Sequence, residues 1–310
     1  MVTSSSEAST LLALSDHLTD AVEQAGRVVV AINARQRMAS SGVHWQPGVI
    51  VTANHTLKRD EEITATLPDG QTVPVTLAGR DPGTDLAVLR LPDSDLPAAQ
   101  LADAAGLKVG QMALAIARSA EGSPGASWGV VSALGGAWRT WRGGQIDRFI
   151  RADLTLYPGF SGGPLVDVRG QVVGINTSAL SRSMGLTIPA VTVSRVANQL
   201  LSTGRVARGY LGVGMQPVRL PDSLRQALAL PGNGGVIIIT IEPGSPADKA
   251  GLFIGDVLVA LDNTAVGDTA EVLAMLGAER IGQPLQARII RGGKLIDATI
   301  TVGERPRREA

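Results

Sequence analysis

Three residues far apart in the chain carry the side chains that hydrolysis of a peptide bond requires. Ser161 lies in Tyr157-Pro158-Gly159-Phe160-Ser161-Gly162-Gly163-Pro164, a glycine-rich turn that leads into an apolar run. His55 ends Val49-Ile50-Val51-Thr52-Ala53-Asn54-His55, and Asp85 directly precedes Leu86-Ala87-Val88-Leu89. A serine hydroxyl is a weak nucleophile until an imidazole takes its proton. A carboxylate must hold that imidazole in one tautomer. Backbone N–H groups must face the oxygen that becomes negative, and glycine lets a turn present them. Each motif also has a plainer reading. Ser-Gly-Gly-Pro fits a tight turn with an exposed serine, and a lone histidine at a strand end is often structural. Asp85 fits a turn carboxylate, although Asp81 in Asp81-Pro82-Gly83 suits that duty better. The chain has two other histidines. His17 is expected on the surface of an N-terminal helix, and His44 in a loop beside Trp45.

The elements that must position these groups read as short and β-rich. Residues 1–10 are rich in Ser and Thr and are expected to be disordered. An amphipathic helix follows, with Leu11, Leu14, Leu18, Ala21 and Val22 on one stripe. From about residue 27 apolar runs of strand length alternate with Gly, Pro, Asp and Asn, as in Pro68-Asp69-Gly70. Many short strands at close spacing predict an all-β barrel or sandwich. A helix over 192–201 closes this part, with Val193, Val196, Ala197 and Leu200 on its apolar face and Gly204 as a stop. The polar stretch 203–208 reads as a linker. A smaller α+β unit fills 209–303, with a helix near 268–277, and 304–310 forms a charged tail.

Composition narrows the function. At 310 residues, two domains are the natural expectation. Lys plus Arg and Asp plus Glu number 28 each, which leaves no electrostatic reason to expect nucleic acid. The absence of cysteine excludes disulfides, thiol chemistry and Cys-based metal sites. No apolar run is long enough for a transmembrane helix. The N-terminal segment has neither a basic start nor an apolar run of signal-peptide length. It therefore reads as cytoplasmic, with an extracytoplasmic or periplasmic home as the alternative if a leader was removed.

Thr52-Ala53-Asn54-His55, Asp85-Leu86-Ala87-Val88 and Gly159-Phe160-Ser161-Gly162-Gly163-Pro164-Leu165-Val166 resemble the three catalytic motifs of the HtrA (Deg) family, in the His, Asp, Ser order of chymotrypsin-like enzymes. The resemblance covers nearly the whole chain after residue 20. It implies a mainly β, chymotrypsin-like double barrel over 11–202 followed by an α+β PDZ domain. It also implies ATP-independent cleavage of misfolded or unfolded proteins, with His55 as general base, Asp85 as its orienter and Ser161 as nucleophile. The oxyanion hole would use backbone N–H groups of Gly159 and Ser161, with Phe160 between them. Relatives usually carry a small polar residue where this chain has Phe160, which keeps a catalytically silent binding protein as the alternative. No cofactor and no metal is implied. Relatives are usually trimers, so a homotrimer is expected.

By position in the fold, Thr155 is expected near the floor of the specificity pocket and Ile175, Thr177, Gly185 and Leu186 along its sides. None is acidic, so cleavage after medium aliphatic residues is expected rather than after Lys or Arg. The stretch 135–151 contains Trp138, Arg139, Trp141, Arg142, Arg148 and Arg151. It reads as a loop that orders the active site or touches a neighbouring subunit, with a plain exposed loop or an anionic partner as alternatives. In the second domain, Arg208-Gly209-Tyr210-Leu211-Gly212-Val213 resembles the carboxylate-binding loop of bacterial PDZ domains. That implies capture of peptide C-termini by Tyr210, Leu211, Gly212 and Val213, with the peptide adding a strand to a sheet edge. A dinucleotide loop is the poor alternative, since only Gly212 and Gly214 fit a G-x-G pattern.

Overall fold

The computed structural model describes residues 4–305, apart from 37, 93–94, 182–183 and 233. The chain forms two units, Met1–Val206 and Ala207–Ala310. Unit 1 opens with helix α1 (Ser4–Gly26) and contains two closed antiparallel barrels. The first barrel uses β1 (Val29–Asn33), β2 (Ser40–Gln46), β3 (Val49–Ala53), β4 (Ile63–Thr66), β5 (Thr72–Asp81) and β6 (Leu86–Arg90), in the order β1-β2-β3-β6-β5-β4. After it come β7 (Met112–Arg118) and β8 (Pro124–Gly135), the small hairpin β9 (Trp138–Arg139) with β10 (Gln145–Ile146), and then β11 (Phe149–Asp153), β12 (Pro164–Val166), β13 (Val172–Thr177) and β14 (Leu186–Pro189). The second barrel closes as β11-β14-β13-β12-β7-β8.

Both barrels contribute to the largest core. Val29, Val43 and Val51 of the first barrel meet Ile116, Val166, Ile175 and Ile188 of the second. Helix α2 (Ala190–Thr203) adds Val193, Val196 and Leu200 to this seam. Burying a side chain such as Leu200 stabilises by about 1.5–3 kcal/mol. The helix ends as the sequence predicts: Gly204 adopts φ 72° and its N–H returns to the Leu200 carbonyl at 2.9 Å. Arg118 ties α1 to both barrels. Its guanidinium donates to the carbonyls of Gly26 (2.6 Å), Val29 (2.5 Å) and Gly122. Burial pulls its pKa below the usual arginine value.

Two expectations need correction. The helix begins at Ser4, so residues 4–10 are helical rather than disordered. Only its C-terminal half lies on the fold: Ala21 and Ala25 are buried and Leu18 and Val22 pack beside them, whereas Leu11 and Leu14 are exposed. His44 belongs to β2, not to a loop. It is buried, with Nδ1 at 2.9 Å from the Pro97 carbonyl and Nε2 accepting from the Gly48 N–H. His17 is exposed. No helix among the described residues is long and apolar enough to cross a membrane.

Unit 2 pairs β15 (Gly209–Tyr210) with β22 (Gly303–Glu304), so residue 304, expected in the tail, is held in a sheet; residues 306–310 lie outside the described residues. Its main sheet runs β16 (Val213–Arg219), β17 (Gly234–Ile241), β18 (Val257–Leu261), β20 (Pro284–Arg291), β21 (Lys294–Thr301), with β19 (Thr264–Ala265) beside β18. Strand β16 is a sheet edge. Helices α3 (Asp222–Ala227) and α4 (Pro246–Lys249) precede α5 (Thr269–Ala274), which starts at a capping box between Asp268 and Glu271 and packs beside β16.

The buried Asp256 carboxylate receives two bonds from Arg291, at 2.8 and 2.7 Å, and one from the Phe253 N–H. Burial alone would raise this carboxyl. The Arg291 guanidinium and the Phe253 N–H outweigh burial and hold it below its usual 3.8. A depressed carboxyl contributes stability above its unfolded-state pKa and loses it as the pH falls through the folded value. Asp256→Asn is therefore expected to lower the stability of unit 2 by about 2 kcal/mol at neutral pH. Faster amide exchange across 234–302 of the full chain checks this, and the difference from the parent must close as the pH drops below 3.8.

Candidate active site

Asp85 occupies the turn between β5 and β6 with φ 59°, a left-handed conformation that Asp tolerates better than most residues. The turn is built by its neighbour. Asp81 accepts from the N–H groups of Gly83 and Thr84 and from the Thr84 hydroxyl. The β9–β10 hairpin clamps it from outside, where Thr140 Oγ1 donates to the Gly83 carbonyl at 2.7 Å. Thus oriented, the Asp85 carboxylate accepts from the His55 N–H (2.8 Å), binds His55 Nδ1 (2.7 Å) and accepts from Thr177 Oγ1 (2.5 Å). Asp85 is 2% exposed, so these three donors replace its water. The imidazole edge of His55 stays partly open.

The turn bearing Ser161 is locked by β2. Ser41 Oγ donates to the Gly159 carbonyl (2.8 Å), the Ser41 N–H donates to the Ser161 carbonyl (3.2 Å), and Thr52 Oγ1 holds the Ser41 carbonyl (2.6 Å). Two glycines make this approach possible. A Cβ on Gly162 would sit 2.1 Å from the Ser41 carbonyl oxygen, and one on Gly163 would sit 2.1 Å from the Ile116 carbonyl oxygen. Gly159 has φ 96°. Among the described residues the N–H groups of Gly159 and Ser161 donate to no acceptor. They are available for an oxyanion.

His55 and Ser161 share no direct hydrogen bond among the described residues. Ser178 Oγ instead contacts both, 3.2 Å from Ser161 Oγ and 3.4 Å from His55 Nε2. Sequence reasoning missed both Ser41 and Ser178, since neither lies in a motif.

Phe160 is largely buried and borders a recess with Ala117, Gly125, Pro158 and Gly159. It is 7% exposed, packs on Ala115 and Ala117 with Leu154 and Leu156, and meets Tyr157 edge-on at 5.7 Å. Its bulk anchors the turn on the second barrel. The expected pocket residues disperse. Ile175 is wholly buried in the seam. Thr177 is buried and spends its hydroxyl on Asp85. Thr155 is exposed, not a floor. Leu186 is buried. Gly185 lies against Leu156, an omitted neighbour: a Cβ on Gly185 would sit 2.2 Å from Leu156 Cδ1.

In unit 2, Gly212 adopts φ 80°, and a Cβ there would sit 2.1 Å from Ser245 Cβ. Among the described residues the N–H groups of Leu211 and Gly212 donate to no acceptor. The Leu211 side chain is buried in the core, so that residue offers its backbone only, and Val213 begins the edge strand β16. Tyr210 Oη donates to Glu242, and burial together with that carboxylate pushes the phenol up to about 12. On α5 and just after it, Val272 and Leu276 are core residues, whereas Leu273 is half-buried.

A family model described as a trypsin-like peptidase domain matches residues 40–175, and a PDZ domain model matches 209–302. A solved structure described as the HtrA-type protease AlgW with tripeptide has a TM-score of 0.73 at 30% identity, covering 94% of this chain and 98% of that one. The chain belongs to the HtrA-type protease family. AlgW with a decapeptide gives a TM-score of 0.75 at 27% identity. Probable periplasmic serine endoproteases, DegP-like, from Chlamydia pneumoniae and Pseudomonas putida are each 34% identical, over 84% and 87% of this chain. The chain spans about half the length of these curated relatives, 54% and 57%.

These names correct the cytoplasmic expectation, since the DegP-like relatives are named as probable periplasmic endoproteases. The N-terminal segment was a poor guide to address. It is a helix of which Leu18, Ala21, Val22 and Ala25 pack on the fold, so that part of its sequence reports packing.

Ser41→Ala removes the donor to Gly159 and the acceptor of the Arg118 N–H, 3.1 Å away. Labelling of Ser161 by a fluorophosphonate is expected to slow about 10- to 100-fold, because the turn loses the bond that fixes its carbonyl. Unchanged labelling in a variant of parental melting temperature would show that the turn holds itself.

Proposed function

We propose that this chain is an ATP-independent serine endopeptidase that cuts exposed, extended segments of misfolded proteins. The observation that carries this reading is the continuous hydrogen-bonded series Asp85, His55, Ser178, Ser161 beside two unpaired N–H groups. Ser161 attacks the scissile carbonyl, His55 takes its proton, and Asp85 keeps the proton of the imidazole on Nδ1. The N–H groups of Gly159 and Ser161 stabilise the oxyanion. Phe160 supports the turn from its buried side, which removes the ground for a catalytically silent scaffold.

The apolar Leu156 side chain against Gly185, with no acidic residue among the expected pocket positions, is in keeping with cleavage after medium aliphatic residues. Unfolded substrates are favoured because a folded chain has its backbone groups already paired. The protease domain includes the helix that starts at Ser4, and the PDZ domain, over 209–303, follows the linker at 203–208. The unpaired N–H groups of Leu211 and Gly212, next to the edge strand β16, support capture of peptide C-termini. We assign a homotrimer as the working assembly, by kinship with the family, and its test is mass in solution.

His55→Ala and Ser161→Ala are each expected to lose several orders of magnitude in cleavage of denatured casein and to retain similar residual rates, because the groups act as a unit. Asp85→Asn should fall comparably through loss of tautomer control. Near-parental cleavage by Ser161→Ala would end the reading.

The PDZ assignment has its own check, made on Ser161→Ala so that ligands survive. A peptide with a free C-terminal carboxylate is expected to bind at least about 10-fold more tightly than its C-terminal amide. Equal binding of the two would remove the carboxylate from the recognition.

A further inference from the structure

Proton positions along the catalytic series follow from donor and acceptor chemistry. The Asp85 carboxylate only accepts, so His55 Nδ1, 2.7 Å from it, carries the imidazole proton. Nε2 of the neutral ring is then an acceptor. The hydroxyl 3.4 Å from it belongs to Ser178, which must donate there. A hydroxyl has one hydrogen. With that hydrogen spent on Nε2, Ser178 Oγ accepts from Ser161, 3.2 Å away. The lone pair of the base is therefore engaged by the wrong serine, and the hydroxyl of the nucleophile is directed at Ser178.

We infer that Ser178 is a positioning residue that holds base and nucleophile apart in the resting protein and must turn aside before Ser161 can transfer its proton to His55. This rests on the reading of Ser161 as nucleophile and His55 as base. The hydroxyl–hydroxyl contact of 3.2 Å exceeds the 2.7–2.8 Å usual for O–H···O bonds, and the O–H···N contact of 3.4 Å is long as well, so both are weak and easily broken. Ser178 is exposed at the end of β13, and its side chain rotates without disturbing the core. Two further facts favour displacement over a proton relay through Ser178. A relay moves two protons across two long contacts, where direct transfer moves one. The neighbour Thr177, by contrast, is buried and fixed on Asp85, so the strand itself stays still.

The test is the second-order rate of Ser161 labelling by a fluorophosphonate, on the full chain. Ser178→Ala is expected to raise it roughly 2- to 10-fold, the range for losing one competing hydrogen bond. Ser178→Thr, which restores a hydroxyl, should bring the rate back toward the parent's. A purely structural role would not follow the hydroxyl in this way. A slower Ser178→Ala would mean a relay, and an unchanged rate would mean a bystander; either overturns the inference. Ser161→Ala run alongside keeps the two claims apart. Persistent labelling of that variant defeats the nucleophile assignment itself, whereas its silence beside an unaccelerated Ser178→Ala defeats only the role of Ser178.

Discussion

A carboxylate that is 2% exposed must be met by donors from both barrels, and unit 1 is arranged around that requirement. An unpaired buried charge is costly enough that the group would sooner take up a proton. Asp85 avoids this with two donors from the end of the first barrel, the N–H and Nδ1 of His55, and one from the second barrel, Thr177. The barrels therefore have to meet in one register. The apolar seam of Val43, Val51, Ile116, Ile175 and Ile188 supplies the attraction that brings them together. The polar clamp from Ser41 to the Ser161 turn then fixes their alignment to hydrogen-bond precision. Hydrophobic burial gives adhesion without direction, whereas the hydrogen bonds give direction at little net gain.

The three motif residues were legible because each sits where a strand gives way to a turn. At such places glycine, aspartate and histidine stand out against an apolar background. The pocket was not. Residues 172–177 of β13 are buried on both faces, so alternation of type cannot sort Ile175, which faces the seam, from a pocket wall. Thr177 carries a hydroxyl that suits a pocket or a carboxylate equally, and only the position of Asp85 across the seam decides between them. Ser41 and Ser178 were illegible for the same reason. The Gly159 partner of Ser41 and the His55 partner of Ser178 lie 118 and 123 residues away, and no motif marks either serine.

The N-terminus shows a different failure. Periodicity called for one apolar stripe from Leu11 to Val22, yet burial begins only near Leu18. A stripe reports what a helix is able to bury. How much it does bury depends on the surface opposite, which meets the helix only from about Leu18 onward. Phe160 shows the converse. A bulky ring in a turn suggests obstruction when read as a string, but the two alanines at 115 and 117 leave a recess for it.

The two peptide-facing sites in separate units use one solution. Gly159 at φ 96° and Gly212 at φ 80° each place the chain where side chains are rarely tolerated. Beside each, a pair of neighbouring backbone N–H groups is left without an acceptor, Gly159 with Ser161 and Leu211 with Gly212. Folding normally pairs such groups, so leaving them unpaired is a standing cost unless a ligand oxygen takes them. An oxyanion exists only during reaction, whereas a terminal carboxylate is permanently charged. On the proposed reading, the same device lowers a barrier in unit 1 and gives affinity in unit 2. In both, a neighbouring part of the same unit must hold the turn rigid, because an unpaired N–H left free to rotate would find a carbonyl of its own. Ser41 does this by gripping the Gly159 carbonyl, and in unit 2 the N–H groups of Glu242 and Ala247 grip the carbonyls of Gly212 and Leu211.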